Sequence, residues 1–125
     1  MAERPDVEEL TIEEHSSKNG IIIIATINRP EKLNALNIDV KEAIKSLCGW
    51  AQESEEVLVV IFRGASPLPP PEGKRQKPHA FVAGADVSEF VGKDSVAIRP
   101  EFEDNVWEAV WKLRKPTIAL VDGYA

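Results

Sequence analysis

The stretch His79-Ala-Phe-Val-Ala-Gly-Ala-Asp-Val-Ser-Glu-Phe90 carries the residue types and spacing that could do chemistry in this chain. Phe81 and Val82 read as a strand end, Ala83-Gly84-Ala85 as a tight turn, and Asp86 as the N-cap of a helix at Val87. Glu89 stands three residues beyond Asp86, at capping-box spacing. Small residues at 83–85 let another molecule approach the backbone, and Gly84 can take dihedrals closed to other residues. The first amides of a helix lack intrahelical acceptors and sit at the positive end of its dipole. Such a turn suits an oxygen that gains negative charge, such as a polarised carbonyl. The same residues also fit an ordinary strand-to-helix turn, so spacing alone leaves both readings open.

Other reactive side chains give weaker patterns. Asp86 and Glu89 are explained as helix-capping groups. Acid–base work on a bound water needs a pair of carboxylates flanking it, and no recognisable pair appears. His79, Ser88 and Asp86 have the types of a hydrolytic triad, yet they lie in one short stretch without a nucleophile elbow. His15 falls in a turn and is expected to be solvated. No metal-ligand spacing is present. The single cysteine, Cys48, lies on an apolar helical stripe and reads as a small core residue.

These groups need a scaffold, and 125 residues provide for one domain with a real core. A hydrophobic fraction of 43% and a charged fraction of 29% are those of a soluble globular protein. No apolar run approaches the roughly 20 residues that span a bilayer. An acidic N-terminus lacks a signal core, and one cysteine excludes an internal disulfide. Both point to the cytoplasm. The net charge of −6 disfavours non-specific binding to nucleic acid or an anionic membrane.

The expected elements alternate. Residues 1–7 read as a flexible lead-in. Alternation at Leu10 and Ile12 predicts a half-buried strand over Glu8 to Glu14. A turn over His15 to Gly20 follows, with Asn19-Gly20 supplying positive φ. The β-branched run Ile21 to Ile27 predicts a strand buried on both faces and paired with the first as a hairpin. Asn37 is an N-cap, and Val40, Ile44, Leu47, Cys48 and Ala51 form the apolar stripe of a helix over Ile38 to Gln52. Val57 to Phe62 and Thr117 to Val121 read as further buried strands. Between them, Phe102, Val106, Ala109, Val110 and Leu113 predict a helix ending near Arg114-Lys115. Trp107 and Trp111 lie on an adjoining face, expected either to pack in the core or to meet a partner.

Residues 65–78 hold five of the nine prolines and the densest cations of the chain, Lys74, Arg75 and Lys77. They predict an extended basic surface loop, either simply solvated or contributing to phosphate binding beside the 83–85 turn. The chain stops after a strand and turn, where a ββα pattern calls for another helix. Its helices and buried strands are therefore expected to need neighbours.

Three segments together resemble the crotonase (enoyl-CoA hydratase/isomerase) superfamily. They are Asn28-Arg-Pro-Glu-Lys-Leu-Asn-Ala-Leu-Asn37, Phe81-Val-Ala-Gly-Ala-Asp-Val-Ser-Glu-Phe90 and Lys115-Pro-Thr-Ile-Ala-Leu-Val-Asp-Gly-Tyr-Ala125, in the family's order. The likeness runs from about Leu10 to the last residue. It implies an α/β fold, a ββα spiral incomplete in this chain, acting on acyl-CoA thioesters with no cofactor beyond the CoA ester itself. By resemblance, the Ala85 backbone N–H is one of two oxyanion-hole donors and the Ala83 carbonyl meets the CoA adenine. Lys32, Leu33 and Ala35 would line the CoA entrance, while Gly84, Asp86 and Val87 complete the binding segment. The glycine-rich turn that gives the family its second amide, and the hydratases' two glutamates, match no residues here. The 65–78 loop is also longer than the family's usual connection. The chain thus resembles the N-terminal half of such an enzyme, completed by a C-terminal half as a separate or cleaved polypeptide. Trimers or hexamers are the family's habit. Hydration of a 2-enoyl-CoA is the expected reaction; isomerisation, or a non-catalytic CoA-binding or assembly role, are the alternatives.

Overall fold

The computed structural model describes residues 3–84 and 106–125. Strands β1 (Leu10–Ser17) and β2 (Gly20–Ile27) form an antiparallel hairpin. A 3₁₀ turn (Pro30–Lys32) leads to helix α1 (Ile38–Glu53) and strand β3 (Val57–Gly64), which runs parallel to β2. Helix α2 (Val106–Lys112) precedes β4 (Thr117–Leu120), parallel to β3. The four strands lie in the order β1-β2-β3-β4.

The hairpin departs from expectation at its turn. Ser17 pairs with Gly20, so only Lys18 and Asn19 connect the strands, and His15 lies in β1 opposite Ile22. Asn19 does not take positive φ. Eight paired residues on each side extend the ladder through the polar end of β1, whose exposed side chains gave no alternation to read.

Alternation then decides which face of the sheet is core. Ile23, Ala25 and Ile27 of β2 and Val60 and Phe62 of β3 point to one side and are buried. Against them packs α1 through Val40, Ala43, Ile44, Leu47, Cys48 and Ala51, the expected stripe with Ala43 added. Each such large side chain stabilises by about 1.5–3 kcal/mol on leaving water. The helix starts where Asn37 Oδ1 accepts from Val40 N at 2.9 Å. Burial pushes the Cys48 thiol up to about 11, so it stays protonated at neutral pH and serves packing.

The opposite face is only half covered, which corrects the expectation of strands buried on both faces. Ile22, Ile24, Val59 and Ile61 are half-buried there. Arg63 bridges the strands on this side, donating to Thr26 Oγ1 and Glu13 Oε2, each at 2.9 Å. The correction is larger for β4, whose four residues are all exposed. It is an edge strand of the described sheet, paired on one side with β3. Helix α2 buries Val106 and half-buries Ala109, Val110 and Leu113 against the core. Phe102, the first residue of the expected stripe, lies outside the described residues. Trp107 is 62% and Trp111 89% exposed, so neither packs in the core of the described residues.

At the N-terminus Arg4 bonds Glu14 and its guanidinium lies 5.4 Å from the centre of the Trp50 ring. No helix among the described residues is long and apolar enough to cross a membrane.

Candidate functional site

Asn34 joins the first motif segment to the chain leading into the second. Its side chain is 1% exposed, and each of its polar atoms has a partner. Oδ1 accepts from Arg29 N at 3.0 Å, while Nδ2 donates to Ala80 O at 2.8 Å and Ala65 O at 3.1 Å. One amide thus ties the connection after β2 to the segment after β3 and to the chain leading into the second motif.

The backbone around Asn34 is shaped for this. Pro30 opens the 3₁₀ turn, after which Leu33 (φ +52°) and Asn34 (φ +59°) both adopt the left-handed region. Asparagine tolerates that conformation; for leucine it is a costly outlier, of the kind that collects at functional sites. The reversal turns the Leu33 carbonyl to Ala83 N at 3.1 Å and lets Leu36 N reach Gly84 O at 2.8 Å. Arg29, buried beneath, donates from a terminal guanidinium nitrogen to Ala35 O at 2.6 Å.

The third segment arrives from the other side. Ala80 and Tyr124 form a parallel bridge, with Phe81 N donating to Tyr124 O at 2.7 Å and Tyr124 N to His79 O at 3.1 Å. Glycine is required twice along this seam. A Cβ on Gly123, at φ +79°, would lie 1.9 Å from His79 O, and one on Gly64 would lie 2.2 Å from Ala80 O. His79 stands between these elements, its Nδ1 3.4 Å from Asp122 Oδ2 and its Nε2 3.4 Å from Gly64 O. Its carboxylate neighbour is therefore Asp122. Ser88 and Asp86, its companions in the triad considered above, lie outside the described residues.

Of the residues assigned by resemblance, Lys32, Leu33, Ala35, Ala83 and Gly84 come together here. Ala83 and Gly84 are exposed, with Gly84 at φ +130° and open space where a Cβ would stand. Ala85, Asp86 and Val87 lie outside the described residues. Behind the turn, an apolar cavity of about 190 Å³ is lined by residues that include Leu36, Phe62, Phe81, Val82, Val106 and Ile118. The site thus has an exposed small-residue backbone on one side and an apolar hollow on the other. It can let a polar head group approach the exposed backbone and shelter a short hydrocarbon. No cluster of three metal-ligating side chains occurs among the described residues.

Sequence reasoning missed Asn34, Arg29 and the close approach at Gly64 and Gly123. The only signal for Asn34 was its tolerance of positive φ, because its hydrogen-bond partners lie 31 and 46 residues away.

The sequence profile described as enoyl-CoA hydratase/isomerase matches residues 22–125. The chain belongs to this family. It is 36% identical over 110 residues to the short-chain-enoyl-CoA hydratase of Clostridium acetobutylicum, covering 86% of this chain and 38% of that one. It is 32% identical over 112 residues to the mitochondrial 3-hydroxyisobutyryl-CoA hydrolase of Xenopus tropicalis, covering 86% of this chain and 26% of that one. Among solved structures, Pseudomonas aeruginosa DspI superposes with a TM-score of 0.73 at 27% identity, over 97% of this chain and 41% of its own. The crotonase fold is thereby shown, and the chain spans less than half the length of these relatives.

Proposed function

We propose that this chain supplies the N-terminal part of an acyl-CoA site that hydrates a 2-enoyl-CoA. The observation that carries it is the seam in which Asn34 ties the first motif to Ala80 while Leu33 O and Leu36 N hold the exposed Ala83-Gly84 backbone beside an apolar hollow. The Ala85 backbone N–H, next in sequence, donates to the thioester oxygen as enolate character develops, and preorganised donors of this kind contribute large rate factors. Lys32, Leu33 and Ala35 line the approach of the CoA arm, with the Ala83 carbonyl at the adenine and Gly84, Asp86 and Val87 completing the binding segment. The substrate's own CoA is the only prosthetic chemistry required.

The second donor and the acid–base pair come from the C-terminal portion of the family domain, which lies beyond the part that residues 1–125 match. That portion also gives β4 its neighbour. Ile118 and Leu120 of β4, with Val121, Tyr124, Trp107 and Trp111, expose apolar surface that a solvated monomer does not favour. An unpaired parallel edge strand is likewise a template for further chain.

Titrating the ¹⁵N-labelled chain with butyryl-CoA tests the site itself. The amides of Leu33, Ala83, Gly84 and Ala85 are expected to shift together and saturate. Saturable shifts confined to other parts of the chain would remove the assignment.

A further inference from the structure

The proline-rich segment at 65–78 is not loose chain. Gln76 Nε2 donates to Leu68 O at 3.1 Å and Lys74 N to Pro71 O at 2.9 Å, with Gly73 at φ +79° completing the reversal. Lys77 Nζ reaches Glu31 O at 2.9 Å and fastens this closed loop to the 3₁₀ turn. An open groove of about 540 Å³ results. Pro30 and Glu31 form one side, and prolines 69–71 with Lys74, Arg75 and Lys77 form the other.

Charge singles the groove out. In a chain of net charge −6, the groove is lined by Lys74, Arg75 and Lys77 with Glu31 as its one acidic lining residue, and Lys32 follows Glu31 in sequence. Among the described residues, Lys32, Lys74 and Arg75 make no ion pair. Cations this close act within one Debye length, so their attraction for a multiply charged anion adds. Prolines pre-set the backbone and lower the ordering cost of holding those cations in place. The 3₁₀ turn that anchors the loop through Glu31 also meets Ala83 through the Leu33 carbonyl. One short segment therefore links the cationic groove to the turn that would hold a thioester.

We propose that the closed loop at 68–77 reads the phosphates of the nucleotide end of CoA, so that the site prefers CoA thioesters over thioesters lacking that end. Lys74, Arg75 and Lys77 are its donors. This rests on the acyl-CoA function proposed above and adds the residues that discriminate between thioester carriers.

Calorimetric affinities of the 125-residue chain for butyryl-CoA and butyryl-pantetheine test it. The second ligand keeps the thioester and the arm but has no phosphate. The wild-type chain is expected to bind the CoA ester at least about tenfold more tightly, with a preference that shrinks as salt rises, because partly exposed charge pairs each contribute modestly and are screened. In the triple variant Lys74→Gln/Arg75→Gln/Lys77→Gln the affinity for butyryl-CoA should drop about tenfold, with butyryl-pantetheine unchanged. The variant Lys74→Arg/Lys77→Arg should keep the wild-type preference. All three positions are exposed, but Lys77→Gln also cuts the tether to Glu31 O; Lys74→Gln/Arg75→Gln, which keeps that tether, should show most of the same loss with an unchanged unfolding temperature. An undiminished CoA preference in the triple variant overturns the loop's role and leaves the acyl-CoA function standing. A wild-type chain that binds neither thioester overturns both.

Discussion

Co-expressed with the C-terminal portion of the same family domain, the 125-residue chain is expected to hydrate crotonyl-CoA; alone, it is expected to give no turnover above background. The size of the gap follows from what each part would supply. Removing one oxyanion donor costs about 10²–10³ in rate. Removing the general acid and base costs a further 10²–10⁴ or so. Even the lower ends together put the isolated chain at least about 10⁴-fold below the complemented pair. Loss of the enoyl thioester's ultraviolet absorbance reads the reaction directly. Robust turnover by the isolated chain would show that the chemistry resides in these residues after all. A folded complex of the two portions that leaves crotonyl-CoA untouched would rule out hydration of this substrate.

Asn34→Leu is expected to be the most damaging single substitution in the described part of the chain. Leucine branches at Cγ as asparagine does but is bulkier, so every hydrogen bond of the side chain is lost and some overpacking is added. Arg29 N–H and Ala80 O then stay in a buried place without partners, each at about 1–3 kcal/mol. Leucine at φ +59° adds about 1–2 kcal/mol of backbone strain that asparagine largely escapes. The total, about 3–8 kcal/mol, is comparable to the whole stability of an ordinary domain, about 5–15 kcal/mol. Cooperative unfolding should be lost or strongly shifted in urea, together with butyryl-CoA binding. Asn34→Gly separates the two causes, since it drops the hydrogen bonds but relieves the strain, and should fall between Asn34→Leu and wild type. An Asn34→Leu chain within about 1 kcal/mol of wild type would mean that the seam between the motifs is held by other contacts.

The sequence made the main elements legible where one periodicity dominates. The α1 stripe from Val40 to Ala51 lies against the sheet as its spacing requires, and Asn37 caps the helix through Val40 N. Periodicity misled where burial depends on what else is present. The apolar runs at β2 and β4 predict strands covered on both faces, but a strand's composition records the neighbours of a complete domain. Here one face of β2 is half-covered and β4 is exposed. Trp107 and Trp111 tell the same story from the helix side. The site was legible as motifs and not as geometry. Ala83-Gly84 announced a close backbone approach, whereas the links through Asn34, Gly64 and Gly123 join residues too distant in sequence for any local pattern to reveal. The three motif segments could be named in order, but only folding shows that they share one seam.

A crystal structure with butyryl-CoA bound is the most direct measurement of the central claim. The thioester oxygen is predicted to sit about 3 Å from the Ala85 nitrogen, the distance expected of an oxyanion donor, with the acyl chain turned toward Phe81 and Val82. A ligand bound with its carbonyl away from residue 85, or that nitrogen bonded within its own backbone, would contradict it.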